Sequence, residues 1–165
     1  ANLLRSAASR PAVIGRVSRA DVRAIPYAGE FSAVLVLFTA FGYFDEADNR
    51  VALAALAGQC ARDGNLVLDL PDPHRVRAEL IPESSKTVAG LQITEHRRID
   101  GNRVAKDVRI SRPDGSVHAY TESVRLYAAD EIARLAEAVG LRVSACWPSL
   151  RGAAVDEGRQ VWWLS

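Results

Sequence analysis

The 165-residue sequence predicts an α/β fold: a parallel-sheet unit interrupted by an antiparallel three-stranded β insertion. Three observations predict it. The run at residues 33–38 is apolar without a break, which suits a strand buried on both faces. A helical stripe and a second short apolar run follow with short connections, the pattern of a βαβ unit with a right-handed crossover. Further on, two turn signals separate three strand-like stretches.

Composition fits a soluble globular domain with a sizeable core. A net charge of +1 gives no reason to expect a nucleic acid or an anionic membrane as partner. The apolar run is too short for a membrane span. Cys60 and Cys146 show no metal-ligand spacing, so buried, reduced thiols in a cytoplasmic protein are expected.

In chain order, residues 1–10 read as the end of a helix carrying Leu3, Leu4 and Ala7 on one side, and Pro11 stops it. Residues 13–18 read as a short strand, with Asp21 at its exit and a turn closed by Pro26. The central apolar run then ends at Thr39, Gly42 and Tyr43. In open α/β sheets the carboxyl end of such a strand is where ligands sit, although an ordinary loop after a core strand has the same composition. Residues 45–62 read as a helix capped by Asp45, with Glu46 and Asp48 in its first turn and Leu53, Leu56, Ala57 and Cys60 as its stripe. Asp63 and Gly64 turn the chain into a strand at residues 65–70.

The segment from Pro71 to His74 breaks the pattern. Residues 91–99, 103–111 and 116–127 are the three insertion strands, with an apolar phase slip between Val117 and Val124 that predicts a bulge. Ile132, Leu135, Ala136 and Val139 then form a helical stripe closed by Gly140. Residues 141–147 and 159–164 read as the last strands, joined by a glycine-containing loop. The expected division is an α/β domain at 1–74 and 124–165, with the insertion at 75–123 capping a pocket, contacting a second subunit, or both.

The order and spacing of Asp21-Val-Arg-Ala-Ile-Pro-Tyr27, Phe31-Ser-Ala-Val-Leu-Val-Leu-Phe-Thr-Ala-Phe-Gly-Tyr-Phe44 and Asp63-Gly-Asn-Leu-Val-Leu-Asp69 resemble those of class I S-adenosylmethionine-dependent methyltransferases. With the insertion and the Arg125-Leu-Tyr-Ala-Ala-Asp-Glu-Ile segment, the likeness narrows to small-molecule enzymes similar to amino-sugar N,N-dimethyltransferases. The resemblance implies a Rossmann-like sheet, S-adenosyl-L-methionine as cofactor and a small-molecule acceptor, with a homodimer as one arrangement. It implies that Asp21 accepts a hydrogen bond from the adenine amine and that Val22 offers its backbone amide. Leu37 and Phe38 would line the adenine and ribose side. An acceptor-only carboxylate suits an exocyclic amine, and apolar side chains suit a flat heterocycle.

The sequence departs from that pattern in two places: it has no Gly-rich loop for the methionine end of the cofactor, and no acid for the ribose hydroxyls. The resemblance therefore implies that these residues are the C-terminal part of a longer protein. Candidates for a general base are His74, Tyr43, His118 and Glu122. Tyr43, Asp69, Asp72, His118 and Glu122 are candidates for acceptor binding, although Asp69 and Asp72 equally suit strand ends. Arg97 and Arg98 read as solvated, Trp162 and Trp163 as packing residues. A methyltransferase-like module without cofactor, serving as a dimerisation or partner-binding domain, is the alternative. A nucleotide-linked oxidoreductase ranks below both, for want of a dinucleotide fingerprint.

Overall fold

The fold is described from a computed structural model, in which Ser9 and residues 17–165 are described. The helix expected at residues 1–10 and most of the strand expected at 13–18 lie outside the described residues; Val17 and Ser18 themselves are irregular. Among the described residues, eight strands form two sheets. The first has the order β1-β2-β8-β7, from β1 (Phe31–Val36), β2 (Cys60–Pro71), β7 (Val143–Trp147) and β8 (Arg159–Leu164). The second is an antiparallel meander of β3 (Glu83–Val88), β4 (Leu91–Asp100), β5 (Arg103–Ser111) and β6 (Val117–Arg125). Helices α1 (Glu46–Ala57), α2 (Pro73–Ala78) and α3 (Ala129–Ala138) complete the elements.

β1 and β2 pair in parallel across α1, as the βαβ pattern requires. The Asp45 carboxylate caps α1 by accepting from the Asp48 amide at 2.8 Å. Leu53 and Leu56 carry its buried side onto Val36, Leu66 and Leu68, and Ile132 and Ala136 of α3 close the same core. No helix among the described residues is long and apolar enough to cross a membrane.

Several expectations are corrected. The strand buried on both faces is β2, where every residue from Leu66 to Leu70 is buried, and not β1. β1 is the end strand of its sheet among the described residues, so Leu35 is 59 % exposed and only Val36 is buried. Helix α1 stops at Ala57, because the chain must reach β2, which already begins at Cys60. The Asp63–Gly64 turn is instead a bulge inside β2: the register moves from Phe31 opposite Cys60 to Ala33 opposite Asn65. Gly64 fits there because a Cβ would meet the Phe31 carbonyl at 2.6 Å. The Pro71–His74 break is the start of α2, with Asp72 as its cap and Pro73 in its first turn.

The meander has four strands rather than three. β3, Glu-Ser-Ser-Lys-Thr-Val, shows little apolar patterning because nearly all of it is exposed. β6 contains no bulge: its pairing with β5 runs unshifted from Arg103 opposite Arg125 to Ser111 opposite Val117. The apolar phase slips because Val117 is exposed at the far end while Val124 is buried at the near end. Cys146 is exposed rather than buried, on a strand that ends its sheet among the described residues. Arg97 is not a solvated charge; its guanidinium pairs with Glu95 and donates to the Ser84 hydroxyl at 3.0 Å.

Candidate functional site: a cavity under the meander

The loop leaving β1 is shaped by its own residues. Phe41 turns into the core and its ring lies 5.6 Å from that of Tyr127. Gly42 follows at φ 98°, with the Arg125 backbone so close that a Cβ would sit 3.1 Å from its carbonyl oxygen. Asn49, buried in α1, then exchanges two hydrogen bonds with the Phe44 backbone. Tyr43 is thereby left half-exposed at the carboxyl end of the sheet.

The meander is fastened over this loop. The Arg103 guanidinium donates to the carbonyls of Gly42 and Phe44, each at 3.0 Å, and to both oxygens of Ser123. The Arg125 amide donates to Gly42 at 2.9 Å. Between loop and meander lies a cavity of about 290 Å³. Thr39 and Tyr43 line it from the loop, Pro71 and Val76 from β2 and α2, and Leu80 from the segment after α2. Arg97, Lys106 and Glu122 supply charge from the meander, with Val104 and Val124 between them. Lys106 and Glu122 are opposite one another across β5 and β6 and their charges meet at 2.6 Å. The hydrogen bond that Lys106 donates to the Glu122 carboxylate raises the Lys106 pKa above its ordinary value, so the ammonium stays charged.

Of the residues expected at the site, Tyr43 and Glu122 meet in this cavity. The others do not. Asp69 is buried and both carboxylate oxygens are engaged, by the Phe38 amide and by Arg159, each at 2.7 Å. Asp72 spends its carboxylate capping α2, accepting from the His74 and Arg75 amides. His74, exposed in the first turn of that helix, is absent from the cavity lining. His118 does share the strand face of Glu122 but lies four residues along, about 13 Å away, beside Tyr120 on an exposed stretch. Arg97, Lys106 and Arg103 were missed. The Lys106–Glu122 pairing was open to turn arithmetic, since the Arg112–Gly115 turn sets Ser111 opposite Val117 and so Lys106 opposite Glu122.

A second group stands on the same sheet end. Asp21 forms a turn in which its Oδ1 accepts from the Arg23 amide at 2.9 Å and from Nε at 3.0 Å, while Oδ2 accepts from a terminal guanidinium nitrogen at 2.7 Å. Arg23 also reaches Asp48 and lies over the Phe44 ring at 4.6 Å, which anchors the turn beside the start of α1. These bonds hold the Asp21 carboxyl down at about 2, so it is an acceptor throughout the physiological range. A carboxylate offers about four acceptor sites. Arg23 uses three of them, and the fourth, on Oδ2, remains for a donor from solvent. Val22 packs on the core beneath, Leu37 is half-buried, and Phe38 is 80 % exposed. The free acceptor site of Asp21 suits an amine donor, and the exposed Phe38 ring suits a flat apolar surface; no residues of the sequence supply a glycine-rich cradle for a charged tail.

No family model and no curated protein matches the chain. Solved structures do. A S-adenosylmethionine-dependent methyltransferase from Clostridium acetobutylicum ATCC 824 superposes with a TM-score of 0.76 at 13% identity, over 99% of this chain and 68% of its own. The CcbJ methyltransferase from Streptomyces caelestis gives 0.71 at 12%, over 88% and 61%. CalS10, an amino pentose methyltransferase from Micromonospora echinaspora involved in calicheamicin biosynthesis and solved with S-adenosylmethionine bound, gives 0.61 at 20%, over 88% and 62%. The chain thus has the fold of these methyltransferases and spans about two thirds of their length.

Proposed function

We propose that the protein carrying this chain transfers a methyl group from S-adenosyl-L-methionine to a nitrogen or oxygen of a small-molecule acceptor. The observation that supports this most is the cavity under the meander, where Tyr43 and Glu122 meet at the carboxyl end of a methyltransferase-type sheet. In this reading Asp21, Val22, Leu37 and Phe38 form the adenine side of the cofactor site. Residues 75–123 are the cap over the acceptor, between an α/β domain at 1–74 and 124–165, and the exposed stretch of β6 beyond the cavity, with Tyr120, pairs with a second copy.

The cofactor, when bound, supplies an electrophilic methyl group on a sulfonium. The chain's own work is to hold and desolvate the acceptor. The apolar wall of Val76, Leu80, Val104 and Val124 excludes water from one side of the cavity. Glu122 accepts a hydrogen bond from the acceptor N–H or O–H and takes up the released proton, with Lys106 balancing its charge. Tyr43 orients the same group through its hydroxyl.

Calorimetric titration of the full-length protein that carries this chain with S-adenosylhomocysteine tests the reading. Asp21→Ala is expected to weaken binding by about tenfold, through loss of a charged acceptor. Glu122→Gln is expected to leave that affinity alone. Equal affinity of the wild type and Asp21→Ala would take Asp21 out of the site, and no binding to the wild type would remove the methyltransferase reading.

A further inference from the structure

Phe38 and Thr39 are consecutive non-glycine residues in the left-handed region, at φ 56° and 62°. L-residues avoid this conformation because Cβ crowds the following carbonyl, and a β-branched threonine avoids it more than most. Two such residues in a row persist only where their surroundings dictate them. Here the surroundings are two side chains and one strand end. The Phe38 amide donates to Asp69 Oδ2 at 2.7 Å, and the Thr39 amide donates to the Asp69 carbonyl at 3.1 Å. Arg159 donates to Asp69 Oδ1 at 2.7 Å, to the Thr39 hydroxyl at 3.0 Å and to the Asp69 carbonyl at 3.1 Å. Asp69 is 1 % exposed and the Arg159 side chain 24 %.

Topology explains why these two residues meet. Asp69 stands near the carboxyl end of β2, and β8 runs antiparallel to it, so Arg159, its first residue, lies opposite Pro71. The strand that brings the guanidinium in enters the sheet where β1 leaves it. The corner it holds divides two surfaces: Phe38 projects outward, and Thr39 lines the cavity.

We propose that Asp69 and Arg159 form a positioning clasp, which fixes the Phe38–Thr39 corner between the cofactor rim and the acceptor cavity. The clasp touches neither ligand, and it rests on the methyl-transfer reading above for the identity of those two surfaces. Its product is a conformation rather than net stability, since burying an ion pair costs nearly as much as the pair returns. A small displacement of a group that positions a ligand is enough to lower affinity many-fold.

The test compares the full-length protein that carries this chain as wild type, Arg159→Gln, Arg159→Lys and Thr39→Val. It reads S-adenosylhomocysteine affinity by calorimetry and amide hydrogen exchange over residues 37–43. Arg159→Gln is expected to bind about tenfold more weakly and to exchange the Phe38 and Thr39 amides at least about tenfold faster. Arg159→Lys recovers part of both losses, and Thr39→Val, which removes one acceptor and no charge, shows a smaller change in the same direction. If Arg159→Gln does not fold, Thr39→Val and Arg159→Lys carry the test. Wild-type affinity in folded variants, with or without faster exchange, overturns the clasp as a positioning device. A wild type that does not bind the probe overturns the methyl-transfer reading instead. Exchange then decides the corner-fixing role alone: unchanged rates in the variants remove it, and acceleration confined to residues 37–43 supports it.

Discussion

Tyr127 buries a hydroxyl that has no hydrogen-bond partner. Asn49, beside it, spends its amide on the Phe44 backbone. The ring itself is well used, stacked on Phe41 and lying under the Arg125 guanidinium at 4.7 Å. Tyr127→Phe keeps those contacts and removes an unsatisfied polar atom, so it is expected to stabilise the fold by about 1 kcal/mol in chemical denaturation. Burial also pushes the phenol up to about 12 from an ordinary value of 10.0. Above pH 10 the unfolded chain therefore releases a proton that the folded chain keeps, and stability falls as pH rises from 10 to 12. The wild type should lose stability over that interval faster than Tyr127→Phe; parallel curves would show that burial does not hold the phenol protonated. At this scale the sequence was a good guide where a side chain acts on its own backbone. Asp45 and Asp72 each meet their chemistry locally, although Asp72 caps a helix that its Pro-Asp-Pro setting disguised. It was a poor guide to Asp69, whose partners Phe38 and Arg159 come from two other strand ends.

Elements were legible to the extent that one face of each is buried. α3 was read from Ile132, Leu135, Ala136 and Val139, and all four pack on the core. β5 and β6 were bounded by turn chemistry that the register bears out. β3 has no such face, and its connection to β4 is a turn at Ala89 and Gly90, whose φ values of 49° and 79° are both positive. Two residues at positive φ make a type I′ hairpin turn, for which asparagine or glycine is the usual first residue. Ala89 disguises that turn and strains it. Ala89→Asn should relieve the strain and raise stability by about 0.5–1 kcal/mol, read as a shift of the denaturation midpoint at constant slope. The reverse holds at Gly42, where positive φ coincides with an Arg125 carbonyl oxygen that a Cβ would meet at 3.1 Å, closer than van der Waals contact. Gly42→Ala is expected to destabilise the fold by about 2 kcal/mol or more, because both backbones must move. A loss below 0.5 kcal/mol would mean that the loop has another conformation within reach.

At the scale of the whole molecule, no strand of one sheet is hydrogen-bonded to a strand of the other among the described residues. The cavity therefore owes its shape to whatever docks the meander, and that docking is concentrated at the end where β5 begins and β6 ends. Arg125 is buried there and pairs with Glu46 of α1 at 2.6 Å and with Glu131 of α3. Arg103 crosses from the meander to the backbone of Gly42, Tyr43 and Phe44, the segment that presents Tyr43 to the cavity. Neither Gly42 nor Phe44 depends on Arg103 alone: Gly42 also accepts from the Arg125 amide and Phe44 from Asn49. Arg103→Ala should therefore orphan neither of those two carbonyls, and its cost should be the lost charge-assisted bonds and stem packing, about 2 kcal/mol. A planar guanidinium serves acceptors in several directions at once, so Arg103→Lys should recover little of it. The change should be local in a diagnostic way. Hydrogen exchange should accelerate at Gly42, Tyr43 and Phe44 and at the near end of the meander, while the β4 and β5 amides around Gln92 and Ser111, at the far end, keep their rates. Acceleration spread evenly along all four meander strands would show that the sheet is held against the α/β body along its length, and that Arg103 is one contact among many.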